Sequence, residues 1–387
     1  MNFDFLKPID LDLYHYSKSL SEYQIGAKIS CFMYDKTADT TDYKIALLGI
    51  PHCLVGQDSK IKSLNLLRKE FYKLFAGNWD CKILDLGDID PDISIDEAYF
   101  AANQIASNLL RKGMILLTIG GTQDFTYPLY RAYRAVDSLV NLVAIDSKFD
   151  LGIINRESAS DSYLGKMIME EPNNLNDFCN LGYQTYLNSQ EELDLMEKMY
   201  FEYYRLGELN GDISLSEPKL RGADIVSIDF TSVESSARGN FQDFMPNGFT
   251  GKEICTLARY SGISDKVSIV SIFNVNTEII SEVKLAAQVM WYVVEGVVFR
   301  YNELFYSQIK ELTKYTIPLE EEPNELVFYK SEKSQRWWVE LKNNGAVKNK
   351  LNNFTLLPSR EQEYKDALQG VFPKKWWKEQ KKYIFNE

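Results

Sequence analysis

From about residue 44 the chain alternates short, strongly apolar runs with longer stretches whose apolar residues recur at helical spacing, and this rhythm constrains the fold more than any other feature. Residues 44–50 read as a buried strand closed by Gly49-Ile50-Pro51, and 61–75 follow as an amphipathic helix. Further strands are expected at 81–86, 115–119, 143–146, 177–183, 225–230 and 267–275, with helices at 95–112, 124–136, 190–206, 250–261 and 278–301. Such alternation predicts an α/β fold: three αβα layers, with a mainly parallel sheet covered on both faces by helices. Ligands of such sheets bind beyond the carboxyl ends of the strands, so chemistry is to be sought in the residues just after each strand.

The ends of the chain break the rhythm. Residues 1–43 read as an N-terminal extension to an α/β domain spanning 44–319. After Glu320-Glu321-Glu322-Pro323 the periodicity weakens, and four of the six tryptophans, Trp337, Trp338, Trp376 and Trp377, fall in the remaining C-terminal extension, 320–387. These aromatics either anchor a tail to its own domain or form a partner-binding surface. The Asn/Lys-rich stretch 342–353 between them reads as a turn or exposed loop.

Charge and composition narrow the function classes. With 43 Lys and Arg against 55 Asp and Glu, the net charge of −12 argues against a broad nucleic-acid or anionic-membrane face. No apolar run approaches the roughly 20 residues needed to cross a bilayer, since Glu295 interrupts the longest, 289–299. The first ten residues carry acids and no apolar signal segment, so a cytoplasmic location without membrane insertion is expected. Cys31, Cys53, Cys81, Cys179 and Cys255 are scattered singly, which fits reduced thiols packed as small hydrophobes. Histidine occurs only at His15 and His52, so a site of several imidazoles cannot be assembled from this one chain.

The strand ends spell an ordered set of motifs. Gly49-Ile50-Pro51 is followed by Thr118-Ile119-Gly120-Gly121-Thr122-Gln123, then Ile145-Asp146-Ser147-Lys148-Phe149-Asp150, Ser227-Ile228-Asp229-Phe230-Thr231, Pro246-Asn247-Gly248-Phe249-Thr250 and Ser271-Ile272-Phe273-Asn274. In order and spacing this set resembles the ureohydrolases (arginase, agmatinase and formimidoylglutamase) over roughly residues 44–310. The resemblance implies an arginase-like fold. It also implies a binuclear manganese centre held by GGDH, DxHxD and SxDxD motifs, whose bridging hydroxide attacks a guanidino or formimino carbon.

Carried over position by position, the motifs match only in part. Gln123 stands where the GGDH histidine would be, and Thr122 replaces the acid before it. Asp146 and Asp150 match the two acids of DxHxD, with Lys148 in place of the histidine between them. Asp229 matches the first acid of SxDxD and Thr231 replaces the second. Asn274 stands at the position of the substrate-facing glutamate, while Thr250 and Glu253 keep a helix capping box. The residual ligand positions are therefore Asp146, Asp150 and Asp229, and neither histidine falls on a ligand position. His52, just after Gly-Ile-Pro, is expected near the crevice mouth in a structural role. A protonated ammonium cannot ligate a metal and would repel one. Lys148 is therefore expected to replace part of the missing metal charge, with the three aspartates converging on its ammonium; the alternative is that it extends to solvent.

The reading that follows is a ureohydrolase-fold pseudoenzyme lacking the binuclear manganese site, with no catalytic residue and no cofactor expected. It would bind or scaffold through the crevice or the Trp-rich segment, taking a protein partner or a small amino-acid-like ligand, and oligomers are possible. The alternative is a divergent hydrolase of C–N bonds in guanidino or formimino compounds, which would use manganese on Asp146, Asp150 and Asp229 or an unrecognised base.

Overall fold

The apolar runs pair side by side in a computed structural model of the chain, which describes residues 5–32, 42–52, 64–152, 162–241, 244–303, 310–319, 324–342 and 354–384. Two compact units emerge, Met1–Arg300 and Tyr301–Glu387. In the first, ten strands form one sheet: β1 (Leu6–Lys7), β2 (Ser30–Cys31), β3 (Ile45–Gly49), β4 (Ile83–Ile89), β5 (Ile115–Ile119), β6 (Val140–Ile145), β7 (Leu175–Tyr183), β8 (Glu202–Arg205), β9 (Ile225–Asp229) and β10 (Ile269–Phe273). Their order is β1-β4-β3-β5-β10-β9-β6-β7-β8, with β2 beside β4. Only the β1–β4 pair is antiparallel.

Strands β3, β5, β9 and β10 are buried at every position, which explains why they read as unbroken apolar runs rather than alternating ones. The period of two survives in what each side chain meets. Ile45 and Leu47 join the core with Val283, Val289 and Val293 of the helix Ile280–Val298, whereas Ala46 and Leu48 join Ala98, Ala102 and Ile105 of the helix Ile95–Arg111 on the other face. The helix Gly251–Ile263 begins with the expected capping box, Thr250 N–H donating to Glu253 Oε2 (2.8 Å) and Glu253 N–H to Thr250 Oγ1 (3.3 Å).

Two expectations change in this unit. Residues 190–206 are not one helix: the helix Gln190–Lys198 ends, Tyr200 turns through a left-handed φ of 58°, and Glu202–Arg205 becomes edge strand β8, paired with β7. The aromatic pair Tyr203-Tyr204 suits a half-covered edge strand better than a helix. The first 43 residues, read as an extension, supply β1 and β2 to the sheet and the helix Leu11–Ser19, whose Leu13 joins the core. Among the cysteines, Cys81, Cys179 and Cys255 are buried and Cys31 is half-buried, and burial pushes the Cys31 thiol up to about 12; Cys53 lies outside the described residues.

The second unit is an antiparallel sheet of β11 (Thr313–Pro318), β12 (Glu325–Lys330), β13 (Trp337–Lys342) and β14 (Phe354–Ser359), in that order, with helices Glu361–Ala367 and Lys374–Ile384. The run 320–323, expected at the boundary, lies outside the described residues, and the second unit spans Tyr301–Glu387. Trp337 and Trp376 belong to its core with Phe328, Val339 and Leu341. The Trp337 ring stacks on Tyr364 (centroids 5.1 Å apart), and Trp376 Nε1 donates to the Glu340 carbonyl (2.9 Å). Trp338, opposite Tyr329, is also buried, which leaves Trp377 as the exposed member of the four. Of the two expected roles, packing within the protein itself thus accounts for Trp337, Trp338 and Trp376. Residues 343–353 of the expected loop lie outside the described residues.

Candidate functional site

Strand order explains why distant motifs meet. Strands β5, β10, β9 and β6 are consecutive neighbours and parallel, so their carboxyl ends lie at one edge of the sheet. The residues that follow them are Gly120–Gln123, Asn274, Asp229–Thr231 and Asp146–Asp150, the four reactive segments of the sequence reading.

After β5 the chain turns through Gly120 (φ +80°) and Gly121 (φ +75°), a left-handed pair that other residues adopt only with strain. A Cβ on Gly120 would also lie 2.8 Å from the Ile50 carbonyl oxygen. The turn delivers Gln123 to a buried position, where its Nε2 donates to Tyr163 Oη and Ser227 Oγ, both at 3.3 Å. Ser227 Oγ in turn shares a hydrogen bond with Thr126 Oγ1 (2.8 Å). His52 is buried behind this turn, its ring 6.3 Å from that of Phe125, while His15 is exposed on the first helix.

Asp146 and Asp229 close their turns in the same way. Asp146 Oδ1 accepts the Lys148 backbone N–H (2.9 Å), and Asp229 Oδ1 accepts the Thr231 N–H (2.7 Å). In each case a carboxylate oxygen is occupied by the amide two residues on, a local bond that competes with any external ligand. Asp229 Oδ2 accepts Asn274 Nδ2 (3.0 Å), so Asn274, at a left-handed φ of 58°, faces the aspartate. Asp150 is likewise buried and left-handed, at φ 53°. Asn180 on β7 donates from Nδ2 to the Lys148 carbonyl (2.7 Å), and Gln184 N–H donates to the Ser147 carbonyl (3.0 Å), which pins the Asp146–Asp150 turn to the neighbouring strand.

Burial, and secondly the negative charge of Asp229, push the Asp146 carboxyl up to about 8, against the pull of the Lys148 N–H, Asp150 and the Lys148 ammonium. Asp146 Oδ2 is buried with no hydrogen-bond partner among the described residues. Burial also raises Asp229, opposed by the Thr231 and Asn274 donors. Tyr163, which no motif marks, sits among these acids. Its hydroxyl is held well above its usual range by burial and then by Asp150, Asp146 and Asp229. It begins the helix Tyr163–Met169, and its sequence neighbours give no signal of its place.

Lys148 departs from the expected arrangement. Its side chain is exposed, and among the described residues no carboxylate lies within 4.0 Å of its ammonium. The Lys148 backbone N–H supplies the hydrogen bond to Asp146, and its ammonium, beyond ion-pair distance, still pulls Asp146 and Asp229 down. The ion cluster is replaced by an Asp-centred hydrogen-bond network. Among the described residues, no group of three or more His, Cys, Asp or Glu side chains is disposed to hold a metal ion.

Comparison with known proteins places this geometry. The Arginase family profile matches residues 52–294, more than half of the chain. The chain belongs to the arginase family. Solved members of similar fold include a Trypanosoma cruzi formiminoglutamase with Mn2+, with a TM-score of 0.62 and 19% identity over 68% of this chain and 96% of that one. A Bacillus subtilis formimidoylglutamase gives a TM-score of 0.60 at 17% identity, covering 68% and 90%. A Bacillus subtilis arginase gives 0.54 at 13%, covering 68% and 100%. No curated protein sequence matches. At its strand ends this arginase-family chain carries Thr122, Gln123, Lys148, Thr231 and Asn274.

Proposed function

We propose that this arginase-family chain is a pseudoenzyme without the two-manganese centre, and that it acts by binding or scaffolding. One observation carries the reading: at the first ligand position Gln123 offers an amide N–H to Tyr163 and Ser227 where a metal site needs an imidazole lone pair. The rest of the donor set fits no better. Lys148 is exposed and forms no ion pair with the aspartates, and both Asp229 oxygens already accept hydrogen bonds from the protein's own Thr231 and Asn274. Three carboxylates without an imidazole do not make the mixed nitrogen and oxygen shell the resemblance implies. No hydrolytic step is therefore derived through manganese.

On this reading the occupant of the crevice is a small amino-acid-like ligand or a protein partner, and the protein works in the cytoplasm. No helix among the described residues is long and apolar enough to cross a membrane. Elemental analysis of the purified chain, loaded with Mn2+ and desalted, tests the reading together with urea, ammonia or formamide release from arginine, agmatine and formimidoylglutamate. Substoichiometric metal and no release are expected. About one metal per chain, or turnover of any of these compounds, would overturn it in favour of a divergent hydrolase.

A further inference from the structure

One face of the parallel sheet is polar beneath the crevice, where a sheet covered on both sides is ordinarily apolar. Thr118, Ser271, Ser227, Ala144 and Asn180 are register partners across β5, β10, β9, β6 and β7, so their side chains share that face. Asp229, at the end of β9, and Asp146, just past β6, lie two residues beyond Ser227 and Ala144 on the same side. All of the polar members are buried. Their hydrogen bonds leave a one-sided remainder. Gln123 uses Nε2 on Tyr163 and Ser227, and Asn180 uses Nδ2 on the Lys148 carbonyl. Gln123 Oε1, Asn180 Oδ1 and Asp146 Oδ2 accept no hydrogen bond among the described residues, and the Ser271 and Thr118 hydroxyls make none there. Amide and carboxylate oxygens can only accept, so whatever completes this group must donate. Among the described residues, moreover, no Lys or Arg nitrogen lies within 4.0 Å of Asp146 or Asp229.

We infer that this buried polar group is a binding site for an ammonium group, either the free ammonium ion or the protonated amine of a small ligand. The inference names the chemistry of the crevice's ligand and rests on the metal-free reading proposed above. Donor count and charge separate ammonium from other occupants. A water donates two hydrogen bonds and leaves the carboxylates uncompensated. An ammonium donates three or four and brings positive charge, which makes its bonds to a buried carboxylate the strong, charge-assisted kind. The oxygens on offer belong to carboxylates, amides and hydroxyls, with no imidazole or thiolate among them, a set that suits a transition metal poorly. Ala144 places only a methyl between Ser227 and Asn180, on the face and strand that lead to Asp146.

Thermal midpoints of the full chain at about pH 8.5, with ammonium or methylammonium chloride replacing sodium chloride at constant ionic strength, test this. At that pH the Asp146 carboxyl, raised to about 8, is mostly ionised while methylamine stays protonated. A ligand that binds only the folded chain raises the midpoint, so a rise that grows with concentration is expected. A response to ammonium alone assigns the free ion, and a response to methylammonium assigns the amino group of a larger ligand. Potassium carries the charge without donors, and tetramethylammonium carries it with the donors blocked; neither should move the midpoint. Asp146→Asn, its fold checked by far-UV circular dichroism, removes the charge and should weaken binding by at least about tenfold. Without any variant, isotope-labelled ammonium held by buried acceptors should give a bound proton–nitrogen NMR signal. An unmoved midpoint with both ammonium salts, an equal rise with potassium or tetramethylammonium, or undiminished binding by folded Asp146→Asn would overturn the inference. Mn2+ run alongside keeps the two readings apart. No response to ammonium or to Mn2+ sinks the ammonium site alone, whereas stoichiometric Mn2+ sinks the metal-free reading and the ammonium site with it.

Discussion

Asp146→Asn is the substitution that most directly interrogates the crevice. Asp146 is buried beside Asp229, and its carboxyl is raised from 3.8 to about 8 by burial and then by that charge. Between those values the folded protein holds a proton that the unfolded chain has released, so stability is full below about 4 and declines as pH rises toward 8. At about 1.4 kcal/mol per pH unit, the whole gap corresponds to on the order of 5 kcal/mol. Because Asp146 and Asp229 titrate as a pair, roughly half of that, about 2–3 kcal/mol, is expected to disappear when one member is made neutral. Asparagine keeps an oxygen for the Lys148 N–H and places an NH2 at the oxygen that now lacks a partner. The variant should match the parent near pH 5 and exceed it near pH 9, by roughly 5 °C in thermal midpoint for a unit of this size. Differential scanning calorimetry across that range is the assay. A parent whose midpoint does not fall between pH 5 and 8, or a variant less stable at every pH, would refute the raised Asp146 carboxyl.

Further outcomes follow from the same contacts. Gln123→Ala should cost about 1–3 kcal/mol in denaturant unfolding, because Tyr163 Oη and Ser227 Oγ lose a buried donor, and an unchanged midpoint would remove Gln123 from the network. Trp376→Ala removes a fully packed indole and its bond to Glu340; about 3–5 kcal/mol should be lost from the second unit, read by tryptophan fluorescence and limited proteolysis, with the parallel sheet of the first unit retained. Chelation followed by Mn2+ addition should leave the thermal midpoint unmoved, since a ligand that binds only the folded chain would raise it.

The sheet was the legible part. Unbroken runs such as Ile115–Ile119 mark strands buried on both faces, and their alternation with amphipathic stretches specifies parallel pairing. Where the local signal was mixed, the reading failed: Tyr203-Tyr204 continues the apolar spacing of the helix before it, and only pairing with β7 makes it a strand. The N-terminal strands β1 and β2, two residues each, leave no periodic trace at all.

By itself, the sequence determined which residues could stand at the ends of the strands: Gln123 and Lys148 at positions the resemblance assigns to imidazoles, and aspartates at 146, 150 and 229. Tertiary structure decided where those side chains go. Lys148 is exposed and meets Asp146 through its backbone N–H rather than its ammonium; Asn274 turns in toward Asp229; Tyr163 arrives from a helix that no motif announces. The four C-terminal tryptophans divide into three buried residues and one exposed side chain for the same reason. Residue type fixes what a group can donate, accept or ionise, but direction and burial are set by turn hydrogen bonds and by neighbours distant in sequence.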